Sequence, residues 1–315
     1  MAKYQALIRE ILALKKKKHA IILAHNYQRP EIYEVADYVG DSLGLCEAAI
    51  ASRAKRIIFC GVKFMAESAK ILNPAKDVYL PALDAGCALA DSINIETLRE
   101  LKRKYPKAAT VCYINSTAEI KAECNTICTS SNAVEVARKL KNKEIIMLPD
   151  KNLAKFVALQ IRGKKIIPAK GVCPIHHNLG PEAIKRAKQE HPGAKLIVHP
   201  ECQTNVLELA DFIGSTSRMS DYAKKSGAKE FIVVTECGMI NKMQEDAPEK
   251  KFYTVCSLCY DMKKITLERV RDALKYDQYK IEVEPDVAKK ARAAFNKMFE
   301  LTKLKAQKSK VKAAA

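Results

Sequence analysis

The sequence predicts an α/β protein of three similar αβα sandwich domains with parallel sheets, arranged about a pseudo-threefold axis with one central active site. Three observations carry that expectation. Strand-like apolar runs alternate with helical patterns, the sequence mark of parallel sheets covered by helices. The alternation is written three times, with its features in register. One cysteine follows the last strand of each copy, and 86 residues separate Cys87 from Cys173 and Cys173 from Cys259.

The N-terminal stretch MAKYQALIREILALKKKKHA reads as a short amphipathic helix with Leu7, Ile8, Ile11, Leu12 and Leu14 on one side. It has no signal-peptide core or cleavage site, which favours the cytoplasm. The segment IILAHNYQRPEIYEVADYVGDS (21–42) then reads as a buried strand, a His, and a helix ending in Ala-Asp-aromatic-aliphatic-Gly. LIVHPECQTNVLELADFIGST (196–216) repeats it, and TVCYINSTAEIKAECNTICTSS (110–131) is a weaker copy. Superposing His25, Ile114 and His199 brings Gly40, Thr129 and Gly214 together 15 residues on, and Tyr27, Ser116 and Glu201 coincide.

A second strand follows in RIIFCGVKFMAE, KEIIMLPDKNLAK and KEFIVVTECGMIN, with Met65, Leu153 and Met239 in register. Third strands, DVYLP, KKIIP and KFYTV, precede Cys87, Cys173 and Cys259. Helices NIETLRELKRKYP, GPEAIKRAKQEHP and TLERVRDALKYDQ come after them. The period is too long for a solenoid and fits a domain-sized unit. The expected domains are 1–88, 89–174 and 175–264, with 265–315 packing back on the first.

Composition narrows the function classes. A formal net charge of +19 favours anionic partners. Part of it lies in solvated runs, LKKKKH and the tail KLKAQKSKVKAAA. No basic motif interleaves with aromatics, so nucleic acid is not the expected partner. No apolar run reaches the length of a membrane span. Eleven cysteines in a reducing compartment point to metal binding or catalysis rather than a disulfide framework.

Right-handed crossovers put the C-terminal ends of parallel strands on one edge, where open α/β sheets bind ligands. That edge carries His25, His199, the Tyr113–Asn115 turn and the three cysteines. Three thiolates with His176 as a fourth ligand would suit zinc. Three thiolates alone would hold an iron–sulfur cubane with one open iron. The surrounding His25, Tyr27, Tyr113, Asn115, His199 and Glu201 favour a catalytic metal over a structural one.

Two other cysteine pairs compete, Cys256 with Cys259 and Cys124 with Cys128; together they could form a zinc site. Cys124 and Cys128 are expected on a helix, as packing. Cys46, Cys60, Cys112, Cys202 and Cys237 read as structural. Asp84 and Lys170 stand where the repeat equates Cys256, so Cys256 is expected to be a bystander in the reduced protein, one that its C-x-x-C spacing could let oxidise with Cys259 and expel the cluster. Ser42, Ser130, Ser131, Ser215 and Thr216 recur at helix-to-loop joints and would make an anion-binding rim. Rival readings are another three-cysteine iron–sulfur hydro-lyase and a basic zinc- or cluster-containing nucleic-acid-binding protein.

The motifs ILAHNYQ, ADYVGDSL, GVKFMAESAKILNP, ICTSSNAVEV, IVHPEC, GSTSRM, TECGMI and CYDMKKITLE resemble those of the quinolinate synthase family of de novo NAD biosynthesis, over roughly residues 5 to 302. The resemblance implies three αβα domains around a central site. It implies a [4Fe–4S] cluster on Cys87, Cys173 and Cys259, one per domain. The implied reaction condenses iminoaspartate with dihydroxyacetone phosphate to quinolinate, a transferase activity releasing phosphate and two waters. Substrate contacts fall on His25, Ser42, Tyr113, Asn115, Ser130, His199, Glu201, Ser215 and Thr216. Tyr27 and Glu201 are the implied acid–base pair, with His199 and His176 as further catalytic candidates. An aspartate oxidase or dehydrogenase would supply the iminoaspartate. The sequence departs from the family's pattern in the DAGCALAD loop, in the second His of CPIHH, His177, and in the basic tail after Leu301.

Overall fold

The computed structural model describes residues 2–302. The basic tail beyond them lies outside the described residues. Three four-stranded parallel sheets account for every strand described. The first holds β1 (Ala20–His25), β2 (Tyr38–Gly40), β3 (Arg56–Cys60) and β4 (Asp77–Tyr79). The second holds β5 (Ala109–Tyr113), β6 (Thr126–Cys128), β7 (Glu144–Leu148) and β8 (Lys165–Pro168). The third holds β9 (Lys195–Val198), β10 (Phe212–Ile213), β11 (Glu230–Glu236) and β12 (Lys251–Ser257).

Their spatial orders are β2-β1-β3-β4, β6-β5-β7-β8 and β10-β9-β11-β12, one topology written three times. The two central strands of each sheet are covered on both faces. This is why AIILAH is buried throughout and RIIFC nearly so. In each sheet the strand order reverses between the two central strands, and their C-terminal ends border the crevice where such sheets take ligands.

The structure corrects the reading of the Ala-Asp segments. They do not end a helix. A short helix stops earlier, at Tyr33 and Leu207 in the first and third sheets, and Tyr38–Gly40 and Phe212–Ile213 are edge strands. The aspartate is the clasp. Asp37 Oδ2 accepts from Ile22 N at 2.8 Å, Asn125 Oδ1 from Thr110 N at 2.8 Å, and Asp211 Oδ2 from Leu196 N at 2.7 Å. The backbone N–H groups of Asp37, Asn125 and Asp211 return the bond to the same residues' carbonyls. The aromatic-aliphatic-Gly ending has a steric cause. A Cβ on Gly40 would lie 2.5 Å from the Tyr38 ring, and one on Gly214 would lie 2.7 Å from the Phe212 ring.

Cys124 and Cys128 are likewise not helical. Cys124 precedes β6 and Cys128 ends it, both buried. The hydroxyl residues sit at strand-to-helix joints rather than helix-to-loop joints. Ser42 opens the helix Ser42–Ala51, and Ser215 caps Thr216–Lys225, accepting from Arg218 N at 3.4 Å. These two helices and their counterpart Ala133–Lys139 each end on a buried or half-buried lysine. Lys76 Nζ donates to Ala49 O at 2.5 Å and Ser52 O at 2.7 Å. Lys164 reaches Ala137 O and Leu140 O, and Lys250 reaches Ala223 O and Ser226 O. Each ammonium satisfies last-turn carbonyls at the negative end of its helix.

The chain divides into two units. One contains residues up to Cys87, the segment Thr117–Glu123 and the chain from Tyr260 on, and so holds the first sheet. Within it the helix Pro285–Thr302 packs against Ala118–Ala122 and Lys63–Leu72. The fully buried Lys121 donates to Phe64 O at 3.3 Å, and Glu67 accepts from Ala118 N at 3.2 Å, which fixes the inserted segment. The N-terminal helix Ala2–Lys17 lies on Leu267–Tyr276 and buries Leu7, Ile8 and Ile11; Leu12 is exposed, against the sequence expectation. The other unit, Ala88–Ser116 and Cys124–Cys259, holds the second and third sheets.

Cys256 is not a reduced thiol. Thr235 pairs with Cys256 across β11 and β12, so the residues that follow them in each strand run side by side, and Cys237 forms a disulfide with Cys256. The sequence offered Cys259 as the oxidation partner of Cys256 and none for Cys237; the bridge joins Cys256 to Cys237 instead. Among the described residues no helix is long and apolar enough to cross a membrane.

Candidate active site

In the second unit the C-terminal ends of β5, β7 and β9 bring several of the expected residues together. Tyr113 ends β5, and its hydroxyl donates to Glu201 Oε1 at 2.5 Å. The other carboxylate oxygen lies 2.7 Å from His176 Nδ1. The same ring nitrogen is 3.3 Å from Cys173 Sγ. His176 Nε2 meets the Thr235 hydroxyl at 2.9 Å, and its ring stacks on His199 with centroids 4.4 Å apart. Tyr113, His176, His199 and Glu201 are all buried. Cys173, His176 and Glu201 offer donor atoms within 4.8 Å of one another, a group able to hold a metal ion.

Burial alone would push the Glu201 carboxyl up. The charge of His176 and its bond, with His199 and the Tyr113 hydroxyl, outweigh burial and hold Glu201 well below the usual carboxylate range. Burial, then the Glu201 charge, pushes the Tyr113 hydroxyl well above its ordinary value, so it keeps its proton. Burial and the same Glu201 charge push Asp150 up to about 7.

Local turns set these side chains. The His199 ring accepts from Glu201 N at 3.4 Å, and in the first unit the His25 ring accepts from Tyr27 N at 3.2 Å. Cys202 N and Gln28 N close the matching turns on His199 O and His25 O. The alignment of His-x-Glu with His-x-Tyr in the sequence is therefore one backbone device used twice. His25 and Tyr27 are buried with rings edge to face at 4.7 Å.

Ser130 lies near the Tyr113 hydroxyl and counters its upward shift, and Asn115 follows in the turn after β5. Asn115 Oδ1 and Asn132 Nδ2 are buried without a hydrogen-bond partner among the described residues. Such atoms cost free energy unless a ligand meets them. Ser215 and Thr216 stand at the N-terminus of Thr216–Lys225, which suits an anion.

The cysteines sort by exposure. Cys46, Cys60, Cys112, Cys124, Cys128 and Cys202 are buried thiols, whereas Cys87, Cys173 and Cys259 are half-buried. Burial pushes the Cys46 thiol up to about 12 and the Cys60 thiol higher still. Metal ligation requires a thiolate, so the three evenly spaced cysteines are the ones suited to it.

Sequence comparison gives the same pattern a family. The model of the Quinolinate synthetase A protein family matches residues 9–300. The chain belongs to that family. It is 52% identical over 296 residues to the quinolinate synthase of Caldicellulosiruptor saccharolyticus, covering 93% of this chain and 98% of the relative. Against the quinolinate synthase of Methanosarcina barkeri it is 50% identical over 294 residues, 93% of this chain and 96% of the relative. That of Alkaliphilus metalliredigens is 48% identical over 297 residues, 94% and 98% of the two chains.

Three members of the site escaped the sequence reading. Asn152 donates to Glu201 O at 2.9 Å and meets His177 Nδ1 at 3.0 Å, which gives His177 a structural place. Thr235 orients His176. Asp150 accepts from Cys173 N at 3.1 Å. The available signal for Asp150 was an acid at one register position of two repeats.

Proposed function

We propose that this protein is a cytoplasmic transferase of NAD biosynthesis that condenses iminoaspartate with dihydroxyacetone phosphate to give quinolinate, phosphate and two waters. The observation that carries the reading is the buried chain of contacts from Tyr113 through Glu201 and His176 to Cys173 in a member of this family. It joins groups that move protons to a thiol placed for ligation. Cys87, Cys173 and Cys259 would hold a [4Fe–4S] cluster. When bound, its open iron supplies Lewis-acid polarisation of a substrate oxygen.

The protein's own groups do the rest. Ring closure and two dehydrations move protons at several carbons, which calls for more than one positioned acid or base. Tyr113 and His176 each present a proton to Glu201. A proton taken from substrate rests on the His176 imidazole, where the ionised Glu201 carboxylate balances its charge. Tyr27 is the second acid–base group, and His199 supports the His176 ring. His25, Ser42, Asn115, Ser130, Ser215 and Thr216 bind substrate. The buried Asn115 Oδ1 is an acceptor suited to the imine N–H, and the hydroxyls and helix N–H groups suit the phosphate and carboxylates. The three sheets belong to domains 1–88, 89–174 and 175–264, with the chain after 265 on the first. An aspartate oxidase or dehydrogenase supplies the imine.

Anaerobically prepared protein, mixed with dihydroxyacetone phosphate and an iminoaspartate source, tests this. Quinolinate should form, detected by chromatography, only when both substrates are present. Absence of product from cluster-loaded protein would overturn the reading.

A further inference from the structure

All three cysteine loops are tied by one main-chain bond. The residue after the register position shared by Val62, Asp150 and Glu236 donates to the carbonyl two residues before the cysteine. Lys63 N meets Ala85 O at 2.9 Å, Lys151 N meets Gly171 O at 2.7 Å, and Cys237 N meets Ser257 O at 3.2 Å. In two loops a buried carboxylate adds to this. Asp150 Oδ1 accepts from Leu153 N at 2.6 Å and Oδ2 from Cys173 N at 3.1 Å. Glu236 Oε2 accepts from Gly238 N at 2.7 Å and Oε1 from Cys259 N at 3.1 Å.

We propose that Asp150 and Glu236 are positioning residues for the metal centre: each fixes the backbone of one ligand cysteine, Cys173 or Cys259, before the cluster arrives. The inference rests on the reading of those cysteines as ligands. Three observations support it. Both carboxylates are almost wholly buried, at 2% and 1% exposure, and a buried carboxylate is costly unless it has a task. The fold does not demand an acid there, because Val62 fills the equivalent place in the first repeat, equally buried.

The third observation is chemical. Asp150 and Glu236 differ by one methylene, and their first bonds go to different positions, three residues on for Asp150 and two for Glu236. What they share is the second bond, to the N–H of the cysteine 23 residues on. Two side-chain lengths thus reach the same end. Each carboxyl group bonds two backbone N–H groups and cannot turn without breaking one. Groups that orient metal ligands in this way typically change metal retention by about ten- to a hundredfold.

The test follows cluster loss anaerobically. Wild type, Asp150→Ala, Glu236→Ala, the volume-conserving Asp150→Asn and Glu236→Gln, Val62→Ala and Cys173→Ser are loaded with iron and sulfide. They are then challenged with an iron chelator while visible absorbance is recorded, and the apo forms are melted by circular dichroism. The Ala variants should lose cluster about ten- to a hundredfold faster than wild type, with the amides between. Val62→Ala, which removes packing but no acceptor, should match wild type. Should the Ala variants not fold, the amides carry the test. Carboxylate variants that hold cluster as long as wild type, while Cys173→Ser holds none, would overturn this inference and leave the ligand reading intact. A Cys173→Ser protein that keeps a full cluster would overturn the ligand reading itself. Equal acceleration by Val62→Ala would reduce both carboxylates to packing and overturn the inference.

Discussion

The loop of Cys87 and the loops of Cys173 and Cys259 descend from one repeated design and are held unequally. Each has the same backbone bond two residues before the cysteine. The loop of Cys87 has Val62 at the register position where the others have carboxylates. The loop of Cys173 adds Asp150, and that of Cys259 adds Glu236 and lies beside the Cys237–Cys256 disulfide. The backbone frame comes with the topology, and a single register position decides whether a carboxylate also bonds the N–H of the cysteine.

The largest effect expected breaks the comparison outright. Serine at Cys87, Cys173 or Cys259 should abolish the cluster, whichever loop it lies in, because no other half-buried thiol is described to replace it. Serine at Cys60 or Cys202 should leave iron content unchanged. A full cubane in any of the first three variants, counted by iron and sulfide assay, would contradict the equivalence of the loops.

Next in size are the two acid–base groups, Glu201 beside the Cys173 loop in the second unit and Tyr27 in the first. Glu201→Gln and Tyr27→Phe should keep the cluster and lose about 10²–10⁴ in turnover. Glu201→Gln leaves Tyr113 and His176 facing a neutral amide that can accept from only one of them. Near-normal rates in both variants would remove the acid–base assignment.

Cys256→Ala sharpens the contrast between the second and third loops. It deletes a bridge between residues 19 apart in sequence, worth about 3 kcal/mol against the unfolded chain. Denaturant titration should show that loss in the oxidised protein while iron content survives. An unchanged midpoint would mean that the bridge does not form in solution.

The smallest effect concerns the frame common to all three repeats. Lys76→Met and Lys164→Met should each cost about 1 kcal/mol, because each ammonium serves two last-turn carbonyls. Unequal costs, measured by thermal melts, would show that the repeats differ in their frames as well as in their ligand loops.

The triplication, the central strands and the cysteine register were legible because buried parallel strands are long apolar runs and equal spacing survives divergence. The edge strands were not. Tyr38–Gly40, Thr126–Cys128 and Phe212–Ile213 are two or three residues long, too short to show a period. Their aspartate clasps act across 15 residues and look like ordinary turn residues. Cys237 and Cys256 share no motif, and only the β11–β12 register brings them together. The Tyr113–Glu201 contact joins residues 88 apart, so sequence could nominate both members but not pair them.

We propose that the three evenly spaced, half-buried cysteines hold one cluster. Counting iron and acid-labile sulfide per chain in anaerobically purified wild-type protein tests it most directly. The account predicts about four of each, with the brown colour of a cubane. Stoichiometric zinc, or protein that remains colourless after reconstitution with iron and sulfide, would contradict it.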